Sequence, residues 1–386
     1  MLELAEELSL REHQITVITS WPKYNLAKSS KQDIFSEKKI ENGKTILRIK
    51  TLPHHNVNYF LRGIAQLLMP LLFFLKLRKY KIRPDVVLIY SPPLPLALVG
   101  SLLRINKVSF VLNVQDLFPQ NAIDLGILTN PLQIRFFSYL ESFAYRTANV
   151  VTLHSEGNLR TVSRNYPDLS DKFEILHNWV DVNQLKAKST STDFRKKLNI
   201  QEKYVAIFAG VMGPSQYLEL ILYVAEKMQD VSELLFLLVG DGSEKDKLEK
   251  ITIKKSLSNV RFEGFVSRED YPNLLEICSI GLVCLSPQNK TPVVPGKILG
   301  YMAAGLPIAA FLQSSSDGHS IIKTAKCGIS ADSADKETCV KSMTKLLKKG
   351  DSLGELGQDG KRFAKENFSK EVCISQLEKI FEQNML

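Results

Sequence analysis

Seven short, almost unbroken apolar runs set the narrowest limit on what this chain can fold into. They are Asp85–Tyr90 (DVVLIY), Ser109–Val114 (SFVLNV), Asn149–His154 (NVVTLH), Tyr204–Ala209 (YVAIFA), Leu234–Val239 (LLFLLV), Ile280–Leu285 (IGLVCL) and Ile308–Leu312 (IAAFL). A strand with one face in water alternates apolar and polar residues; a strand covered on both faces does not. Between these runs lie stretches with helical periodicity, among them Leu94–Arg104, Pro131–Thr147, Lys245–Ile253 and Lys336–Lys349. Strands alternating with helices predict parallel α/β sheets. A chain of 386 residues exceeds what one core usually holds, about 250–300 residues, so two such domains are expected. A polar, Ser/Thr/Lys-rich run from Lys186 to Lys197 places the boundary near 178–200.

The net charge is +9, and Arg62, Lys76, Arg78, Lys79, Lys81 and Arg83 crowd around one helix expected over Asn58–Lys81. A basic balance points to nucleic acid, anionic lipid or phosphorylated ligands. No helix-turn-helix, zinc-finger spacing or aromatic RNA-binding pair accompanies it, which leaves phosphate or membrane partners. Within that helix the apolar run Ile64–Leu75 covers 12 residues. A bilayer span needs about 20, so the reading is a helix lying at a membrane surface or packed on the sheet. Five cysteines, none in a CxxC pair, suit a reducing compartment with buried thiols. No metal-ligand cluster is visible.

The candidate chemistry sits where strands end, because ligands of open α/β sheets bind outside the carboxyl ends of strands. Gln115 and Asp116 follow one strand and are placed to face a cleft; an N-cap or turn role for Asp116 is the alternative. The loop Gly210–Gln216 (GVMGPSQ) follows another strand and is expected to open a helix near Tyr217. Gly210 and Gly213 would let a phosphate approach the backbone near Pro214, Ser215 and Gln216. The motif lacks the P-loop Lys-Ser/Thr and is not GxGxxG. A second loop, Val293–Lys297, ends in Pro295-Gly296 and starts a helix that Gly305-Leu306-Pro307 stops, with Lys297 adding a positive charge in its first turn. The two loops would open at one sheet edge and hold a pyrophosphate from both ends, with Phe265 and Val266 near a base. Gly240-Asp241-Gly242 reads as a turn at the same edge. No GxSxG, HExxH or kinase signature is present.

Taken together, these segments resemble the family 4 glycosyltransferases of the GT-B fold, in particular the WbuB/WcaI-like branch. The matching pieces are LAEELSLREHQITVITSWPKY (2–24), PDVVLIYSPPLPLALVG (84–100), FVLNVQDLFPQNAIDLGIL (110–128), HNWVD (177–181), FAGVMGPSQYLEL (208–220), LLVGDG (237–242), VPGKILGYMAAGLPIAA (294–310) and SSSDGHSIIKTAKCG (314–328). The resemblance implies two facing Rossmann-like domains: an acceptor domain over 1–178, a nucleotide-sugar domain over 179–368, and a helix over 369–386 crossing back. It implies a retaining, metal-independent hexosyl- or N-acetylhexosaminyltransferase that needs no cofactor besides its UDP- or GDP-sugar substrate. The implied acceptor is a polyprenyl-diphosphate-linked sugar of a surface polysaccharide such as lipopolysaccharide or capsule. The implied location is the cytoplasmic face of the plasma membrane, reached through the 58–83 helix, with no nucleic-acid partner. Catalysis falls to Gln115 and Asp116, and donor binding to Gly210, Gly213, Pro214, Ser215, Gln216, Gly242, Phe265, Val266, Pro295, Gly296 and Lys297.

The sequence also departs from the family pattern. Pro292 and Gly300 stand where many relatives carry two glutamates, Gln216 where a lysine is expected, Tyr217 where a glycine is, and Gly296 where close relatives have serine. Relatives begin with a strand and a Gly-rich loop ahead of the helix that Met1 opens here. A non-catalytic GT-B paralogue that binds a partner or membrane, or a nucleotide-sugar epimerase, are the competing readings.

Overall fold

The computed structural model describes residues 2–21, 35–52, 59–105, 107–182 and 191–385. Asn58, the Arg62 side chain and the start of the polar run at the domain boundary lie outside the described residues. The first domain contains α1 (Leu2–Leu10), β1 (Thr16–Ser20), β2 (Lys38–Glu41), β3 (Lys44–Ile49), α2 (Tyr59–Lys79), β4 (Val86–Ser91), α3 (Ala97–Arg104), β5 (Ser109–Val114), α4 (Gln120–Asp124), α5 (Pro131–Thr147), β6 (Val150–Leu153), α6 (Glu156–Asn165) and β7 (Phe173–Ile175). The second contains α7 (Ser191–Lys197), β8 (Tyr204–Ala209), α8 (Glu219–Lys227), β9 (Leu234–Val239), α9 (Lys245–Lys254), β10 (Val260–Glu263), α10 (Tyr271–Glu276), β11 (Ile280–Cys284), α11 (Gly296–Ala304), β12 (Ile308–Leu312), α12 (Gly318–Ala325), β13 (Gly328–Asp332), α13 (Lys336–Leu347) and α14 (Leu353–Asn367). The chain ends in α15 (Lys370–Asn384).

The second domain is a doubly wound parallel sheet in the order β10-β9-β8-β11-β12-β13. The order reverses between β8 and β11, which start on opposite sides of the switch point where such folds bind ligands. Strands β9, β11 and β12 are buried at every residue, as their unbroken apolar sequences require. One apolar cluster fills each face: Val205, Ile207, Leu237 and Ile298 on one side, Phe208, Phe236, Leu282 and Phe311 on the other.

In the first domain the strands form two sheets, β1-β3-β2 and β4-β5-β6-β7, where a single sheet was expected. Strand β2 runs antiparallel to β3, and among the described residues β1 pairs with β3 alone. Strand β4 pairs, among the described residues, with β5 alone. Shared packing still joins the two sheets: Ile49 and Ile89 enter one cluster, and Ile15, Leu88 and Tyr90 pack on another with Leu4 and Leu8.

Helix α15 crosses back onto the first domain, as the resemblance implies. Ile374 and Leu377 pack against Leu4, Leu8 and Leu176, and Ile380 against Val111 and Val150. Arg11 donates to Ser375 at 2.9 Å and pairs with Glu378 at 2.5 Å. The two chain segments that pass between domains lie side by side, with Val180 N–H donating to the Phe368 carbonyl at 2.8 Å. Trp179 packs beside the α1–α15 cluster. All five cysteines are free and buried.

Candidate active site

Three loops of the second domain meet at the carboxyl ends of its central strands. After β8 the chain passes Gly210 and Met212 and makes a 3-10 turn over Pro214–Gln216. Tyr217 follows in the left-handed region (φ 46°), and α8 starts at Glu219, not at Tyr217 as the sequence predicted. The Gly210–Gln216 loop is therefore not the N-terminus of a helix. It is a separate lobe folded over the strand ends.

That lobe interlocks with the turn after β9. Met212 N–H donates to the Asp241 carbonyl at 2.8 Å, and Glu244 N–H to the Met212 carbonyl at 3.0 Å. The contact is close enough to demand glycine. A Cβ on Gly240 (φ 134°) would lie 2.0 Å from the Gly210 carbonyl oxygen, and one on Gly242 (φ 157°) 2.3 Å from that of Met212. No L side chain fits such a backbone and such a gap. The Asp241 carboxylate accepts from its neighbour Gly242 N–H at 2.8 Å, which is the turn role expected of it.

The third loop brings Lys297. Pro295 caps α11, Gly296 is its first residue, and Lys297 follows in the first turn. Its Nζ donates to Gln216 Oε1 at 2.8 Å and sits 4.7 Å from the centre of the Phe208 ring. It also lies beside Gly210, where a Cβ would be 3.0 Å from Lys297 Cε. Burial lowers its pKa to about 8. A half-buried ammonium whose hydrogen-bond partner is a neutral amide is poised for an anion, because an anion would restore the solvation that partial burial removed. The N-terminus of α11 adds outward backbone N–H groups and a favourable dipole at the same place.

The other expected donor residues have distinct placements. Ser215 presents its carbonyl to Ser286 N–H at 2.9 Å, tying the lobe to the end of β11. Gly213 and Gly296 have open space where a side chain would be. Phe265 is 88% exposed beyond β10, at the outer edge of the sheet, while Val266 packs against the core. Gln115 and Asp116 are on the first domain. Gln115 N–H donates to Ser91 O at 2.8 Å and its Nε2 to Asn113 Oδ1 at 2.6 Å, so its bonds stay within that domain. Asp116 reaches solvent, yet the protein packed around it raises its pKa above the usual carboxylate value.

Sequence reading missed the seam that brings the two walls together. The N-terminus of α6 meets the second domain there. Gly157 N–H donates to Asp317 Oδ2 at 2.7 Å, and Asn158 Nδ2 to the Pro292 carbonyl at 2.9 Å. Arg160 lies 3.5 Å from the same Asp317, and Lys290 N–H donates to Asp124 at 3.1 Å. Gly157 in HSEG and Asp317 in SSSDG are both in view in the sequence, but nothing local pairs them. His154, between β6 and α6, was also passed over. Its Nδ1 bonds to the Leu176 carbonyl at 2.9 Å, and burial holds its pKa near 4, so the ring is neutral.

Two families share this chain between them. "Glycosyltransferase Family 4" matches residues 1–184, and "Glycosyl transferases group 1" matches residues 190–363. The chain belongs to the GT-B glycosyltransferases. Among curated proteins this glycosyltransferase is 25% identical over 330 residues to "Probable glycosyltransferase WbjE" of Pseudomonas aeruginosa, covering 84% of this chain and 81% of that protein. It is 24% identical over 329 residues to WcaI of Escherichia coli (strain K12), named for colanic acid biosynthesis, covering 78% of this chain and 76% of that one. The GT-B architecture is shared with sucrose-phosphate synthase of Thermosynechococcus elongatus, at TM-score 0.78, 15% identity, and 99% and 91% coverage of the two chains. It is shared too with HepE of Anabaena in complex with UDP and glucose, at TM-score 0.71, 14% identity, and 99% and 94% coverage.

Proposed function

We propose that this glycosyltransferase moves a hexosyl or N-acetylhexosaminyl group from a UDP- or GDP-sugar, with retention, to a polyprenyl-diphosphate-linked acceptor in surface polysaccharide assembly. The observation that carries the donor half is the convergence of Lys297, Gln216, Gly210 and the α11 N-terminus on one point at the switch of the sheet. As the sugar C1–O bond breaks, its electron pair stays with the leaving group and adds one negative charge to the terminal phosphate of the nucleoside diphosphate. A half-buried cation and backbone donors stabilise that charge best where water is excluded, and they do so without a metal. Ser215 and Gln216 hold the diphosphate with Lys297, while Pro295 and Gly296 shape its approach. Asp116 and Gln115 line the acceptor wall. The raised pKa of Asp116 suits a carboxyl group that handles the acceptor proton. The UDP and glucose held by HepE support a nucleotide-sugar donor here. The name of WcaI, which refers to colanic acid biosynthesis, supports polysaccharide assembly. The enzyme works peripherally on the inner face of the plasma membrane, with the 58–83 segment as its contact. Among the described residues no helix is long and apolar enough to cross a membrane.

The test is transfer of radiolabelled sugar from a panel of UDP- and GDP-sugars to membrane lipid extract, with the anomeric configuration of the product read by NMR and the assay repeated in EDTA. Transfer with retention, unchanged by EDTA, is expected. Tight UDP or GDP binding with no transfer to any lipid extract would overturn the lipid-linked acceptor. Absence of nucleotide binding would overturn the donor site itself.

A further inference from the structure

Strand β13 is a free edge of the second sheet: among the described residues it pairs with β12 alone. Ile308 N–H donates to the Cys327 carbonyl at 2.9 Å, and Ser333 N–H to the Leu312 carbonyl at 2.8 Å. In a parallel ladder the residues that bond one neighbour alternate with residues that face the other side. Gly328, Ser330 and Asp332 therefore turn their backbone N–H and C=O groups outward. Of these, among the described residues, only the Asp332 carbonyl is taken in the backbone network, by Asp335 N–H at 3.0 Å. Folds usually blunt such an edge with a proline, a bulge or a charge on the strand. The sequence GISAD has no proline, its register with β12 runs unbroken, and its one charge comes at the last residue.

This edge is the floor of an open groove of about 450 Å³ between α12 and α13. The two helices cover opposite faces of the sheet, since Ile322 and Cys339 enter different apolar clusters. Lys323 stands on the α12 wall and Lys345 on the α13 wall. Both are exposed, and among the described residues no carboxylate pairs with either or lines the groove. Acidic side chains at its ends are engaged elsewhere. Asp332 accepts from Ala334 N–H at 2.9 Å, Asp335 from Thr338 N–H at 3.0 Å, and Glu337 from the Tyr223 hydroxyl. A second copy of the chain offering the same edge would set lysines against lysines. A small anion would leave the outward carbonyls of Gly328 and Ser330 unmatched. An extended acidic segment meets both demands. Its backbone completes the ladder, and its successive side chains point to opposite walls, so that neighbouring carboxylates reach both lysines.

We propose that β13 is a docking edge for an extended acidic segment of a partner protein, which adds a strand to the sheet and places neighbouring carboxylates against Lys323 and Lys345. Strands β11 and β12 stand between this edge and β8, so the contact is separate from the donor loops and independent of the sugar transfer proposed above.

The probe is a fluorescent, end-capped peptide a few residues longer than β13, with two adjacent Glu residues flanked by Thr and Val, titrated with the whole protein by anisotropy. It should bind about tenfold or more tighter than its counterpart with Lys in place of Glu, and its affinity should fall as salt rises. Lys323→Glu with Lys345→Glu should weaken it about tenfold or more, with melting temperature and UDP affinity unchanged. Strand addition has a signature that charge alone lacks. N-methylation of every second peptide amide should abolish binding in one register and leave it within about threefold in the other. The amides of Ser330 and Asp332 should also gain protection from hydrogen exchange when the peptide is bound. Equal binding by the two peptides, indifference to both methylation registers, or no binding at all would overturn the proposal. Displacement of the peptide by inorganic phosphate at constant ionic strength would overturn it too, because the groove would then be a small-anion site. So would a dimer in light scattering that the peptide disperses, because the edge would then belong to a second copy.

Discussion

The two domains answer the same α/β pattern differently. The second is one six-stranded sheet closed by helices, with its central strands sealed. The first is split into three and four strands, with every residue of β1 half-exposed and only two residues of β4 buried. Of the twenty exposed large apolar side chains among the described residues, fifteen precede residue 178. A domain that holds a small charged ligand needs rigid strand ends, since loops grip with precision only when their roots do not move. A domain that meets an apolar phase can leave surface uncovered that would otherwise drive aggregation. The contrast matches the division of labour proposed above between a donor side and an acceptor side.

The contrast can be broken most directly at Gly242. Gly242→Val puts a branched side chain against the Met212 carbonyl, and should cost the second domain about 3 kcal/mol or more, read as a lowered denaturation midpoint. An unchanged midpoint would mean that the interlocked loops are not rigid.

Next comes Lys297→Ala, which should weaken nucleotide-sugar binding about 10–100-fold by calorimetry, whereas Lys197→Ala, at an exposed side chain ending α7, should leave it unchanged. Equal effects would remove Lys297 from the diphosphate site. The same lysine predicts a pH dependence. Its pKa in the free protein is lowered to about 8, so the charged form dominates below that value and donor affinity should fall as pH rises through it. In Lys297→Ala that alkaline fall should vanish.

Hydrogen exchange sharpens the comparison between sheets. Amides of β1 and the free edge of β4 should exchange faster than those of β8, β9 and β11, because an edge opens without breaking the whole sheet. Equal protection would show that the split is filled in solution.

The smallest effect is expected at Glu141 in α5. It accepts from Tyr145 and Tyr166, and burial raises its pKa to about 7. The folded protein therefore holds a proton that the unfolded chain has released between roughly pH 4.5 and 7, so this group's contribution to stability falls as pH rises across that window. Glu141→Gln should flatten this part of the stability–pH curve.

Much of this architecture can be read in the sequence, and the reason is local. All seven apolar runs are strands, and Pro295-Gly296 and Gly305 bound the helix α11 that they predicted. Period and turn chemistry act within a few residues, so they survive without tertiary context. Where local rules met a conflict they failed. Tyr217 takes a left-handed conformation that bulky side chains avoid, and no sequence rule foretells it, so the start of α8 was misplaced. Strand β2, KKIE, is exposed at three of its four residues and carries no burial pattern to read.

The sequence alone determined the order of strands and helices, the two-domain division and the presence of a Gly-rich loop and a lysine at strand ends. Only the tertiary structure decided that Lys297 meets Gln216 across 81 residues and that Gly157 meets Asp317 across 160. It also decided which apolar face of α2 is buried, that of Ala65, Met69, Phe73 and Leu77 and not that of Ile64, Leu68, Leu71 and Leu75. Periodicity reports that a helix has an apolar face; where two exist, only packing against neighbours selects the one that enters the core, and the other is left to whatever the molecule meets.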